Sequence, residues 1–124
     1  MNAPSPRKSF VSIAIVGAAG VLAAGPALAD IKIGFNVPLT GFAAADGQSS
    51  LNGAKLAVAQ ANAAGGVAGQ KIELVVYDDQ ASPKEAVPVA TKLVEKDKVV
   101  GAVSGSYAGS TRAAAGIFQA GKVP

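Results

Sequence analysis

Lys71-Ile72-Glu73-Leu74-Val75-Val76-Tyr77-Asp78-Asp79-Gln80-Ala81-Ser82-Pro83-Lys84-Glu85-Ala86 contains a strand, a turn and a helix start in one continuous run. Lys71 to Tyr77 is rich in β-branched and aromatic residues, which suit a pleated, half-buried surface. Asp78 to Ala81 reads as a loop. Three signals then agree on a helix start: Ser82 can cap, Pro83 suits the first helical position, and Glu85 is placed to reach back to the cap. Ala86, Val87, Ala90, Leu93 and Val94 are expected to form the buried face of this helix, with Lys92, Lys96 and Lys98 near its negative end. Pro88 removes a backbone donor from the helix interior at a cost of about 3 kcal/mol, so a kink or a delayed start is expected.

The same alternation continues on both sides. Ile31 to Val37 alternates apolar with polar or small residues and stops at Pro38, the pattern of a strand. Pro38 to Gly47 reads as a loop. From about Ser49 the pattern is helical, with Leu51, Ala54, Val58 and Ala61 on one face and Gly65-Gly66 ending it. Downstream, Val99 to Val103 reads as a short buried strand, Ser104 to Ser110 as a loop and Thr111 to Ala120 as a helix ended by Gly121. The order β-α-β-α-β-α predicts an α/β fold, a parallel sheet with helices on both faces. Gly121-Lys122-Val123-Pro124 reads as entry into a further strand, so the chain is expected to be a fragment whose partial sheet carries an open edge and holds ligand poorly by itself.

The N-terminus carries an export signal. Arg7 and Lys8 precede an uncharged apolar run, Phe10 to Gly25, and Ala27-Leu28-Ala29 presents small residues two apart. The run is shorter than the about 20 apolar residues of a membrane-spanning helix, contains Gly17, Gly20 and Gly25, and ends at Pro26. Residues 1–29 are therefore expected to be a signal peptide cleaved after Ala29, which places the mature chain in the periplasm. The full chain has a net charge of +3, but loss of Arg7 and Lys8 leaves nine basic against eight acidic residues. A near-neutral surface argues against nucleic acid as a partner. Cysteine is absent, which removes disulfides and any lipidated cysteine anchor.

In a sheet of this kind ligands bind where the strand-to-helix loops emerge. Ser104, Ser106, Tyr107, Ser110 and Thr111 offer hydroxyls there, and Gly105 and Gly109 let backbone amides approach a ligand. This loop suits a carboxylate at a helix N-terminus; it equally suits hydroxyls that only cap the helix. Phe42 fits either packing or a cover for apolar ligand surface, and Tyr77 reads as packing. Asp78-Asp79 is read as a solvated loop pair with a structural or capping role, since adjacent carboxylates diverge and no third metal ligand lies near. No phosphate loop or dinucleotide fingerprint is present. Without His or Cys the usual nucleophile–base pairs cannot form. A binding protein without cofactor or metal, not an enzyme, is expected.

Ile31-Lys32-Ile33-Gly34, Pro38-Leu39-Thr40-Gly41, Asn52-Gly53-Ala54 and Ala61 to Gly69, followed by Tyr77-Asp78-Asp79, Ser82 to Ala86 and Val100 to Val103, resemble the periplasmic branched-chain amino acid-binding proteins of ABC importers. The resemblance runs through the whole mature chain. It implies a type I periplasmic binding fold, a two-lobed protein that clamps its ligand by hinge closure, with residues 30–124 an incomplete N-terminal lobe. It implies as partners a small molecule (an amino acid or related amide) and the importer's membrane subunits, with the binding protein itself a monomer. It further implies that Tyr107, Ala108, Gly109, Ser110 and Thr111, with Ser106 before them, grip the ligand's α-carboxylate, and that Asp46 stands near the pocket rim. Ala108 stands where some members carry a serine, and Asp46 where amino acid binders often place an aromatic residue. A sensory domain of a membrane receptor with the same fold is the alternative.

Overall fold

The computed structural model describes residues 29–104 and 107–124. The export signal read over residues 1–29 therefore lies, but for Ala29, outside the described residues.

The expected alternation is present as β1 (Ile31–Val37), α1 (Ala44–Ala63), β2 (Ile72–Asp78), α2 (Pro83–Thr91), β3 (Gly101–Ser104) and α3 (Ala108–Ala120). The three strands form one parallel sheet in the order β2-β1-β3. Ile31 lies opposite Ile72 and Val37 opposite Asp78, while Ile33 to Asn36 pair with Gly101 to Ser104. Side chains alternate across β1. Phe35 and Val37 bury with Leu51 of α1, joined by Leu39, Ala54, Leu74 and Val76. On the other face Val75, Tyr77 and Ala102 pack on Ala86, Val89, Ala90 and Leu93, with Ala114 and Phe118 of α3. Helices thus cover both faces. Gly34 lies under the fully buried Leu93, where an added Cβ would press on Leu93 Cδ1 at 3.0 Å. Burying a leucine side chain of this kind stabilises by about 2 kcal/mol.

Several local expectations are corrected. The first helix does not wait for Ser49: a 3-10 turn at Gly41–Ala43 runs directly into α1 at Ala44. Gly47, expected to close the loop from Pro38, is a buried helical residue, and a Cβ there would overlap the carbonyl oxygen of Pro38. The glycine is demanded by close approach. Pro88 neither delays nor stops α2, which starts at Pro83 and runs to Thr91; the departure from α geometry comes afterwards, as a π-turn at Lys92–Lys96. Ser82 occupies the N-cap position, but its side chain makes no capping bond; its carbonyl instead accepts from the amides of Glu85 and Ala86 at 3.1 and 2.9 Å.

The third strand is neither buried nor placed as expected. It starts two residues late, and Val100 and Val103 are 60% and 53% exposed. The ladder joins β3 to β1 on one side, and on its outer side the Ala102 amide donates to the carbonyl of Pro124 at 2.8 Å. At the opposite end of the sheet Asn62 does what an extra strand residue would do. Its Nδ2 donates to the Ile72 carbonyl at 2.9 Å and its Oδ1 accepts from the Ile72 amide at 2.8 Å. The Asn before Gly65-Gly66 thereby ties the end of α1 to the start of β2.

Candidate functional site at the carboxyl ends of the strands

The chain passes from β1 through α1 to β2 on one side, then crosses back to β3 on the other. The order of strands reverses between β1 and β3, and the crevice above that point is where open α/β sheets take ligands. Three connections frame it.

Asp78 ends β2 and locks the β1–α1 connection. Its Oδ1 accepts from the amides of Leu39 and Gln80 at 2.8 and 2.9 Å, and its Oδ2 from the Thr40 hydroxyl at 2.6 Å. Partial burial works to raise its pKa, but the hydrogen bonds from the Thr40 hydroxyl and from the Leu39, Gln80 and Thr40 amides outweigh it and hold the carboxyl below its ordinary value. Asp79 points the other way, as adjacent carboxylates should, but it is fully buried and not solvated. It accepts from Asn36 Nδ2 at 3.2 Å and from the Ala81 amide at 3.0 Å, and its own carbonyl accepts from the Ser82 amide at 2.8 Å. These bonds hold Gln80 and Ala81 at φ of 54° and 55°, a left-handed pair that residues with a Cβ rarely adopt. Both aspartates are structural.

The β3–α3 connection behaves differently. Tyr107 immediately precedes α3, and its carbonyl accepts from both the amide and the hydroxyl of Thr111 at 3.1 Å. Ser104 Oγ donates to Thr111 Oγ1 at 3.3 Å. Ala108 and Gly109 are exposed at the helix start, whereas Ser110 is fully buried and its Oγ has no partner among the described residues. Asn36 Oδ1, buried beside Asp79, is unpartnered in the same sense. Ser106 lies outside the described residues.

Asp46, in the first turn of α1, is brought to this connection. The Tyr107 hydroxyl donates to Asp46 Oδ2 at 2.9 Å, and that hydrogen bond, with some desolvation and the carboxylate's charge, raises the phenol above its ordinary pKa. Phe42 is 82% exposed and meets the Tyr107 ring edge-on at 5.5 Å between centroids. Tyr77 packs against the α2–α3 core, donates to Asp97 Oδ2 at 3.0 Å and carries the Lys92 ammonium over its ring. A groove of 480 Å³ follows the flank of the sheet between α1 and β3, lined by Phe35, Ser50, Gly53, Ala54, Ala57, Val103 and Ser104. Among the described residues no three His, Cys, Asp or Glu side chains gather to hold a metal.

A sequence profile of the periplasmic binding protein family matches residues 30–124. The chain belongs to the periplasmic binding protein family. It is 39% identical over 112 residues to an amino acid binding protein of Pseudomonas aeruginosa, covering 90% of the chain and 29% of that protein. It is 38% identical over 90 residues to the Leu/Ile/Val-binding protein of Escherichia coli, covering 73% of the chain and 24% of that protein. Among solved structures it is similar to the branched-chain amino acid transporter substrate-binding protein LivJ of Streptococcus pneumoniae in complex with isoleucine. That match has a TM-score of 0.74 at 42% identity and covers 77% of the chain and 27% of LivJ. A leucine-binding protein, LivK, of Thermotoga maritima matches with a TM-score of 0.69 at 29% identity. The chain thus spans less than a third of the length of these relatives.

The expected site residues from Tyr107 to Thr111 stand together at the start of α3, and Asp46 joins them through Tyr107. Sequence reading missed Asn36 and the burial of Asp79. The available signal was an Asp at a strand end followed by a turn without glycine, which requires side-chain bonds to hold its backbone.

Proposed function

We propose that this chain forms the opening part of the first lobe of an extracytoplasmic binding protein that delivers branched-chain or related amino acids to an ABC importer. Residues 1–29 are its signal peptide, cleaved after Ala29, and residues 30–124 an incomplete N-terminal lobe. The mature protein works in the periplasm as a monomer that docks on the importer's membrane subunits. The ligand's α-carboxylate sits on the first turn of α3, held by Tyr107, Ala108, Gly109, Ser110 and Thr111 with Ser106 before them, and Asp46 stands at the rim.

The observation that carries the reading is Ser110, a fully buried hydroxyl with no partner among the described residues, in the first turn of a helix. A helix start leaves amides without intrahelical acceptors and its dipole favours an anion. The substrate class is supported by the names of the relatives and by the isoleucine bound to LivJ. Because these relatives are solute-binding proteins, they favour an importer component over a receptor domain or an enzyme. Calorimetric titration of the full chain, as expressed from its gene, with branched-chain amino acids and related amides should give saturable heat. Silence with every amino acid and amide would remove the substrate class.

A further inference from the structure

Asp46 and Tyr107 are 61 residues apart in sequence, yet their 2.9 Å hydrogen bond joins the first turn of α1 to the start of α3. With the exposed Phe42 ring against Tyr107, three side chains span the crevice between β1 and β3. Tyr107 occupies one oxygen of the carboxylate and is the side-chain partner of Asp46 among the described residues. A carboxylate has about four acceptor sites, so this exposed group retains capacity on its open side. The charge around it is one-sided. Pro38–Ala43, Asp79–Ser82 and Gly105–Tyr107 contain no Lys or Arg, and the nearest in sequence, Lys84 and Arg112, lie on α2 and α3.

The two sides of the crevice therefore prefer opposite charges. The first turn of α3 favours an anion, while Asp46 favours a cation or an N–H donor. One tyrosine side chain and one hydrogen bond separate them. We propose, resting on the reading that the ligand's α-carboxylate sits on α3, that Asp46 is a specificity-determining residue facing the ligand's side chain. It favours a side chain that ends in an amide or a cationic group and rejects one that ends in a second carboxylate. Tyr107 and Phe42 supply the apolar edge along which the methylenes of such a side chain lie.

Glutamine and glutamate are near-isosteres that differ in this property, so they are the probes. Calorimetry on the full-length protein, as expressed from its gene, is expected to show glutamine bound at least about tenfold tighter than glutamate, with D46N bringing the two within about twofold. The amide oxygen introduced by D46N still offers Tyr107 an acceptor, so the charge is removed without the clasp; an unchanged melting curve verifies the fold. Tyr107→Phe frees the carboxylate without removing it and is expected to keep or widen the preference. Equal binding of glutamine and glutamate by the wild type, an unchanged ratio in D46N, or a ratio that collapses in Y107F as in D46N would each overturn the assignment. If the wild type binds leucine but D46N leaves the glutamine-to-glutamate ratio unmoved, only the role of Asp46 fails. If it binds no amino acid at all, the underlying reading fails with it.

Discussion

The connections after β2 and after β3 leave the same end of the same sheet, yet their own side chains differ: both carboxylates after β2 are engaged, with Asn36 Oδ1 beneath Asp79 left unpartnered, whereas after β3 a buried hydroxyl of the connection itself has no partner among the described residues. After β2, Asp78 and Asp79 spend their oxygens on Leu39, Thr40, Gln80, Asn36 and Ala81, and close a backbone with two consecutive left-handed residues. After β3, Ser110 keeps a buried hydroxyl without a partner among the described residues, Ala108 and Gly109 stay exposed, and Tyr107 reaches outward to Asp46. Buried polar groups are normally satisfied, and one that is not calls for an explanation. A loop whose carboxylates are all engaged is scaffold, whatever its charge suggests. The buried hydroxyl without a partner in the β3–α3 connection is the observation behind the proposed ligand site.

The largest effect should come from the satisfied side. Asp79→Ala leaves the buried Asn36 Nδ2 and the part-buried Ala81 amide without acceptors, and is expected to lower stability by about 3 kcal/mol. Asp79→Asn retains one acceptor and should recover part of that loss. Urea denaturation of the two variants measures both numbers, and a loss below about 1 kcal/mol for the alanine variant would mean the loop is not the scaffold described here.

Asp78 makes the same point through pH. Its folded pKa lies below the ordinary value of 3.8, so the unfolded chain binds its proton more readily. The stability it contributes is complete above that ordinary value and is lost as pH falls through the lower folded value. Denaturation midpoints between about pH 6 and about pH 2 should fall less steeply for Asp78→Asn than for the wild type. Parallel curves would show that Thr40 and Leu39 take no stability from this carboxylate.

A smaller effect of opposite sign is expected at Ala81. Its φ of 55° costs an L-residue about 1 kcal/mol, which glycine avoids. Ala81→Gly should therefore raise the melting temperature by a few degrees, a shift consistent with about 1 kcal/mol in a domain of this size. If the variant melts lower, the left-handed pair is not the strained element.

Much of this was legible from residue types. The β-branched run over β2, Pro83 at the first position of α2 and the apolar spacing on α1 each satisfied a local rule, and the fold obeys them. What was hidden depends on distant neighbours. Gly47 looks like a loop glycine until Pro38 is found against it, and Asp79 looks like a surface acid until Asn36 is found beneath it. Val103 looks like a buried strand residue until the face beside it is found open. In the site, the helix start and its hydroxyls could be read locally, whereas the link from Asp46 to Tyr107 exists only because the sheet brings the two connections together.

The smallest effect on stability should come with the clearest effect on function. Ser110 Oγ is buried and makes no bond that its removal could break among the described residues. Deleting a buried hydroxyl that has no partner leaves nothing newly unsatisfied, so Ser110→Ala should change stability by less than about 0.5 kcal/mol, or raise it slightly. Asp79→Ala, at a residue equally buried in the neighbouring connection, should cost several times more. In the full chain the same serine variant should weaken amino acid binding about tenfold, the loss of one hydrogen bond to a charged group. Calorimetry and urea denaturation on one preparation would therefore separate the two connections. A Ser110 variant that loses stability but keeps affinity would reverse their roles, making the β3–α3 connection part of the scaffold and removing its hydroxyl from the ligand's site.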